Sequence, residues 1–168
     1  MNRLAACLAL ALAAAPCGLA QSADAPDQAH HHHEGAAPAQ HAMPATDGRA
    51  LVVYPAGLRV QTLANMRDHL ATLAEIQQAL ADSRFDRASE LAESRLGMSS
   101  LDLHGAHEVA RYMPRGMQEA GTAMHRAASQ FALVAKDASA SGDLKPVLAS
   151  LAGLNRSCMA CHAAYRLQ

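Results

Sequence analysis

Residues 58–80 read LRVQTLANMRDHLATLAEIQQAL. Large apolar side chains recur there every three or four residues, which places them on one stripe of an α-helix. Pro55 precedes the stretch at a position where the first turn of a helix tolerates proline. We therefore predict a long amphipathic helix whose stripe faces a core. The stripe consists of Leu63, Met66, Leu70, Leu73, Ile76 and Leu80.

Two more helices follow from the same periodicity. Residues 85–96, FDRASELAESRL, predict a shorter second helix that ends at Gly97. Residues 98–113 are less periodic and indicate a connection with one helical turn. Pro114 then opens a third helix. Its stripe is Met117, Gly121, Met124, Phe131 and Ala135.

The last helix completes the fold prediction. The sequence SASGD at residues 139–143 interrupts the third helix, Asp143 is a suitable N-cap, and Pro146 fits the first turn of a fourth helix. No stretch shows sustained alternation of period two, which strands with one buried face would require. We therefore predict an all-α domain over residues 51–168, an antiparallel four-helix bundle. The stripe of the fourth helix is Val147, Leu151, Leu154, Cys158, Cys161 and Tyr165.

The first fifty residues have a different composition. Arg3, an Ala- and Leu-rich run and the small residues before Gln21 are typical of a secretory signal peptide over residues 1–20. Residues 21–50 are rich in Ala, Pro, Gln, Asp and His, and they predict a disordered tail because they offer little apolar surface to bury. We expect a periplasmic protein that does not insert into the membrane after cleavage, and whose two remaining cysteines are Cys158 and Cys161.

Charge argues against some binding partners, and composition suggests a cofactor. The formal net charge is -1, so nothing favours binding to nucleic acid or to an anionic membrane. Aromatic residues make up 3% of the chain and tryptophan is absent, which leaves few large planar groups for a core. A large planar cofactor would fill such space.

The strongest chemical signal is the sequence Cys158-Met159-Ala160-Cys161-His162, which has the spacing of a c-type haem attachment motif. Positions i and i+3 lie on one face of a helix, so both thiols can reach the two vinyl groups of one porphyrin. The adjacent His162 can then supply an imidazole nitrogen to the iron from the proximal side. We predict one covalently bound haem c.

Other uses of a CxxC sequence require a different position in the fold or additional ligands. A thioredoxin-like dithiol lies at a helix N-terminus after a strand, whereas this pair lies near a helix C-terminus. A structural zinc site needs four ligands, and no second Cys/His pair stands at finger-like spacing. Zinc, copper and dithiol chemistry therefore remain the alternatives to haem.

A haem motif at the extreme C-terminus of a four-helix domain resembles the cytochrome c′ family of class II c-type cytochromes. The residues that carry the resemblance are Cys158, Cys161, His162, Tyr165 and Arg166. The resemblance implies a periplasmic haem protein in which Arg166 lies close to the haem and tunes it electrostatically. The alternative for Arg166 is a solvated charge that favours the C-terminal end of its helix.

The function depends on the distal side of the iron, which the first helix covers in this family. Met66 is the candidate distal ligand, and the alternative is a methionine that only fills the core. His69 is expected to point outward beside Asp68. With Met66 bound, the protein would be a small electron carrier for an unidentified periplasmic redox partner. With the position empty, it would bind NO or CO, and in neither case is it an enzyme.

Further possible ligands lie elsewhere in the chain. The segment between the second and third helices is unusually rich in them, whereas Met117, Met124 and His125 are expected to be core or surface residues. The tail histidines predict binding of Cu, Ni or Zn and a third hypothesis, a metal-buffering protein. A homodimer formed through a helix face is also possible. The segment offers His104, His107, Met113 and Met117, and the tail offers His30, His31, His32 and His33.

Overall fold

The structure is a computed structural model, and it describes residues 47–168. The predicted signal peptide and nearly all of the predicted tail lie outside the described residues. The prediction of a mainly helical domain is confirmed, and the four predicted helices are present at the expected places. Tyr165 was predicted to lie on the fourth helix, but it begins the short strand that follows that helix. The elements are β1 (Ala50–Val52), α1 (Ala56–Ala81), α2 (Phe85–Arg95), a 3-10 turn (Met98–Ser100), α3 (Ala106–Ala110), α4 (Arg115–Ser141), α5 (Leu144–Ala164) and β2 (Tyr165–Leu167).

The helix ends follow from local chemistry that the sequence shows. Asp143 is the N-cap of α5, and its side chain accepts a hydrogen bond of 3.0 Å from the backbone N–H of Lys145. Gly142 ends α4 in the left-handed region at φ 72°, which glycine adopts without steric cost. The two-residue connection forces α4 and α5 to run in opposite directions. The predicted N-cap is confirmed.

A short parallel sheet joins the two ends of the described chain. β1 and β2 pair with Leu51 opposite Arg166, so the segment before α1 is bound to the segment after α5. Strands of three residues are too short to show alternation, which is why the sequence did not indicate them. Ala50 belongs to β1. The folded part therefore begins before Leu51, within the segment that composition assigned to the tail.

The helices pack in chain order, with α1 against α2, α2 against α4 and α4 against α5. Within the described residues, the backbones of α1 and α5 do not pack closely along their length. A large core lies among these four helices and is built mostly from Ala and Leu. Its fully buried members include Phe131, Ile76, Leu154 and Val147.

A second, smaller core lies beside the C-terminal end of α5. Val52, Tyr54, Val109 and Met117 are its buried members, and they come from β1, the segment before α1, α3 and α4. Cys161 packs against this core. Among the described residues, no helix combines the length and the apolar character needed to cross a bilayer.

The face of α1 that is buried differs from the predicted stripe. Ile76 and Leu80 are buried as predicted, but Leu70 is 69% exposed. Relative to the predicted stripe, the buried face of α1 is rotated toward small and polar side chains. The reason is that α1 packs on α2, which leaves the flank with Leu70 uncovered. His69 is only 9% exposed, so the prediction that it points outward was wrong. The other residues of the buried face are Thr62, Thr72 and Ala79.

Candidate functional site

The CxxCH motif occupies the last two turns of α5. Cys158 and Cys161 are one helical turn apart and half-buried, and they lie on the same side of the helix. Cys158 packs against the large core, whereas Cys161 packs against the small one. His162 follows directly and is exposed. The structure therefore places two thiols and an imidazole side by side at a boundary between protein and solvent.

Both thiols are free and electrostatically unactivated. Burial raises the pKa of Cys158, with a smaller contribution from the charge of Cys161, and burial also raises the pKa of Cys161. A thiol that exchanges disulfides requires a lowered pKa, because the thiolate is the nucleophile. This site consequently lacks the property on which dithiol redox catalysis depends.

The flank of α1 beside the buried face is apolar and incompletely covered. Leu63 and Met66 are half-buried, and Leu70 is exposed, so these three side chains form an apolar strip on the first half of α1. His162 is the smallest of several causes that lower the pKa of His69 on α1, after burial and the other histidines. The strip lies on the flank of α1 next to the buried face that carries His69.

Arg166 lies in β2 immediately after α5. Its Nε is 3.4 Å from Oδ2 of Asp47, which makes an ion pair. The geometry is not that of a hydrogen bond, and Nε has no hydrogen-bond partner. The ion pair is half-exposed and contributes little to stability. Arg166 thus stands close to the motif in the chain, and its guanidinium is held toward the N-terminal segment.

Arg49 is a residue of this region that the sequence did not indicate. Its Nη1 donates a hydrogen bond of 3.4 Å to the backbone oxygen of His162, and its other nitrogens bind Asp47. Hydrogen bonds from Arg49 lower the pKa of Asp47. Arg49 and His162 are 113 positions apart in the chain, so no local pattern could have predicted their hydrogen bond.

The remaining candidate ligands separate into buried and exposed groups. His104 and His125 are buried with His69, and Met117 and Met124 are buried in the two cores. Met113 is half-buried beside the small core and His107 is exposed. The tail histidines His30, His31, His32 and His33 lie outside the described residues.

Comparisons of this chain with protein-family models, with curated proteins and with solved structures found no match.

Proposed function

We propose that this chain is an exported c-type cytochrome that carries single electrons between periplasmic partners. The observation that supports it is the arrangement of Cys158 and Cys161 on one face of α5, with His162 directly after them. Their raised pKa values argue against dithiol catalysis, and the exposed imidazole is available to a metal. The donor set is the one that haem c requires.

The packing of the long helices supports the proposed relation to the cytochrome c′ family. Each of α1, α2, α4 and α5 packs on the next, as in an antiparallel four-helix bundle. The first and last of them remain apart, with the motif on α5 and the apolar strip on α1. A planar macrocycle between these two helices would cover the strip and complete the bundle.

The residues of the motif have distinct tasks in this proposal. Cys158 and Cys161 would hold the haem through two thioether bonds, each formed by addition of one thiol across a vinyl group with no atom lost. His162 would offer an imidazole nitrogen to the iron. The haem would supply a reversible one-electron change, and the thioethers would retain it in an extracytoplasmic compartment.

Met66 is the better candidate for the distal ligand than His69. The ring of His69 is turned into the protein beside His104, whereas Met66 is half-buried on the uncovered strip. A thioether there would give Met/His ligation and raise the reduction potential, which suits an electron carrier.

A second candidate function rests on the neighbours of Met66. Leu63 and Leu70 make the strip apolar, and an apolar distal side without a ligand admits small neutral gases. If Met66 only packs there, the protein would bind NO or CO instead of carrying electrons.

The test is visible spectroscopy of the exported protein, oxidised and reduced, before and after addition of CO. We expect c-type bands that survive denaturation, because the haem is covalently bound. Cys158→Ser and Cys161→Ser should each remove at least one thioether, whereas Met159→Leu, at an exposed position of the same motif, should keep both. Absence of haem from the wild-type protein would overturn the proposal, as would haem that stays covalently bound in the double variant Cys158→Ser/Cys161→Ser.

A further inference from the structure

Three histidines from distant parts of the chain are buried together in the interior. His69 lies on α1, His104 lies between the 3-10 turn and α3, and His125 lies on α4. Their exposed fractions are 9%, 6% and 8%. Histidine is seldom buried in such a group, and buried polar groups normally have hydrogen-bond partners.

The hydrogen bonds of these three rings leave several nitrogens unused. His125 Nδ1 lies 2.7 Å from the carbonyl oxygen of Leu96, which only accepts, so Nδ1 carries the proton and donates. The lone pair of His125 is therefore on Nε2. His104 Nε2 is buried and has no hydrogen-bond partner. His104 Nδ1 is 3.5 Å from both His69 Nε2 and Ser100 Oγ, at the outer limit of a hydrogen bond.

The hydrogen bond of His125 has the form of an outer-shell contact in a metal site. Histidines that bind metals usually donate their second ring N–H to a carbonyl or carboxylate, which orients the ring and fixes its tautomer. The Leu96 carbonyl holds His125 in this way, with Nε2 left for another partner.

The spacing of the rings is close to that of ligands around one ion but does not match it without movement. With metal–nitrogen distances of about 2.0–2.1 Å, two nitrogens on a tetrahedral ion are about 3.3 Å apart and their ring centres about 5–5.5 Å apart. His69 Nε2 and His104 Nδ1 are 3.5 Å apart. The three centroid distances are 4.6, 6.2 and 5.8 Å. Among residues 47–168 no three such side chains already converge on one point, so binding requires rotation of the rings.

The surroundings of His69 and His104 favour their neutral form. Burial, and then the neighbouring histidines, lower the pKa of His69 to about 4, while burial and His125 lower the pKa of His104. Neutral imidazole is the form that binds metals. The carboxylate of Asp68, which pairs with Arg95, lies close enough to act on both rings and would offset part of the charge of a bound cation.

We propose that His69, His104 and His125 form a three-nitrogen site for a divalent late first-row transition ion, Zn²⁺ or Cu²⁺. Imidazole is a preferred ligand of both ions. The site is separate from the CxxCH motif and does not depend on the proposed haem. A fourth position remains for water or a further ligand, since three protein ligands leave a tetrahedral ion incomplete.

The experiment uses the full chain with its tail histidines replaced by alanine, so that the tail no longer competes for metal. This background carries His30→Ala, His31→Ala, His32→Ala, His33→Ala and His41→Ala. After incubation with ZnCl₂ or CuSO₄ and gel filtration, we expect one equivalent of metal per chain. Uptake of Zn²⁺ alone or of Cu²⁺ alone identifies the ion, and uptake of neither overturns the proposal.

Two single variants in this background locate the site. His104→Asn should weaken metal binding at least tenfold, since even outer-shell partners contribute about 10- to 100-fold. His107→Asn is the matched control because His107 lies in the same segment and is exposed. Equal binding by both variants would overturn the proposal. The visible haem bands should be unchanged in both, and a shift in His104→Asn would assign the cluster to the iron site instead.

A measurement without any ligand substitution guards against misfolding of the variant. X-ray absorption at the zinc edge of the zinc-loaded background protein reports the zinc shell separately from iron. Three imidazoles at about 2.0 Å are expected. A shell that lacks imidazole scattering would overturn the proposal.

Discussion

Leu51 pairs with Arg166 in a parallel two-stranded sheet that joins the residues before α1 to the residues after α5. The CxxCH motif ends only four residues before Arg166, so this pairing holds the motif near the start of α1. Val52 and Tyr54 then enter the small core against which Cys161 packs. The position of the candidate site relative to α1 thus depends on a contact between the two ends of the domain.

The first prediction concerns this contact. Val52 is 4% exposed and its neighbour Val53 is 64% exposed. Val52→Ala should lower the free energy of unfolding by about 1–3 kcal/mol because it leaves a cavity in the small core. Val53→Ala should change it by less than about 0.5 kcal/mol. Urea denaturation followed by circular dichroism measures both, and equal losses would show that β1 does not pack as described.

The large core has a single fully buried aromatic side chain, Phe131, with an exposed fraction of 0%. Phe131→Ala should destabilise the domain by about 3–5 kcal/mol, since few neighbours are large enough to fill the space. Leu133→Ala on the same helix is the control, because Leu133 is 61% exposed. Thermal and urea denaturation provide the comparison. A small effect of the Phe131 substitution would contradict the packing of α4.

Met66→Leu distinguishes electron transfer from gas binding. If Met66 binds the iron, the variant should lose the sharp bands of a six-coordinate haem, gain CO binding and have a lower reduction potential. Met124→Leu is the control, because Met124 is buried in the large core. If the spectra and the reduction potential are the same in wild type and Met66→Leu, then Met66 does not bind the iron and only packs against its neighbours.

Because the side chain of Tyr54 is buried, we expect the protein to lose stability in alkaline solution. Burial, with a smaller contribution from Cys161, raises the pKa of Tyr54 to about 12, whereas an unfolded tyrosine titrates near pH 10. Between these values the unfolded chain releases a proton that the folded chain retains, so the free energy of unfolding falls as pH rises above about 10. If the cysteines carry haem, the contribution of burial remains.

The measurement is the melting temperature between pH 8 and pH 11. Tyr54→Phe keeps the ring and should flatten the decline above pH 10, whereas Tyr112→Phe, at a position 45% exposed, should follow the wild type. A decline that is the same in all three proteins would assign the alkaline loss to other groups.

The helices could be predicted because their signals are local. Periodicity located α1, α2, α4 and α5, and Asp143 marked the start of α5 through a side chain that caps a backbone N–H two residues away. The second helix does end at the predicted place, but Gly97 is not in the left-handed region there. Glycine suits this position because a Cβ atom would collide with the side chain of Glu93. The CxxCH spacing is local too, so the motif could be recognised without a structure.

The errors arose where the direction of a side chain depends on distant partners. Leu70 was predicted to be buried and His69 to be exposed, and the structure shows the reverse. The apolar pattern alone assigned Leu70 to the core together with Leu63, Leu73 and Leu80. The actual rotation of the helix follows from packing on α2, and it also brings His69 to His104, 35 positions away.

The sequence by itself thus determined the helical class, the places of the long helices and the spacing of the Cys158–His162 motif, because each depends on residues within a few positions of one another. Only the tertiary structure decided which flank of α1 stays uncovered, how Leu51 meets Arg166 and that three histidines are buried close together. Those relationships require loops of the chain to close over tens of residues, and the packing of whole helices selects among them.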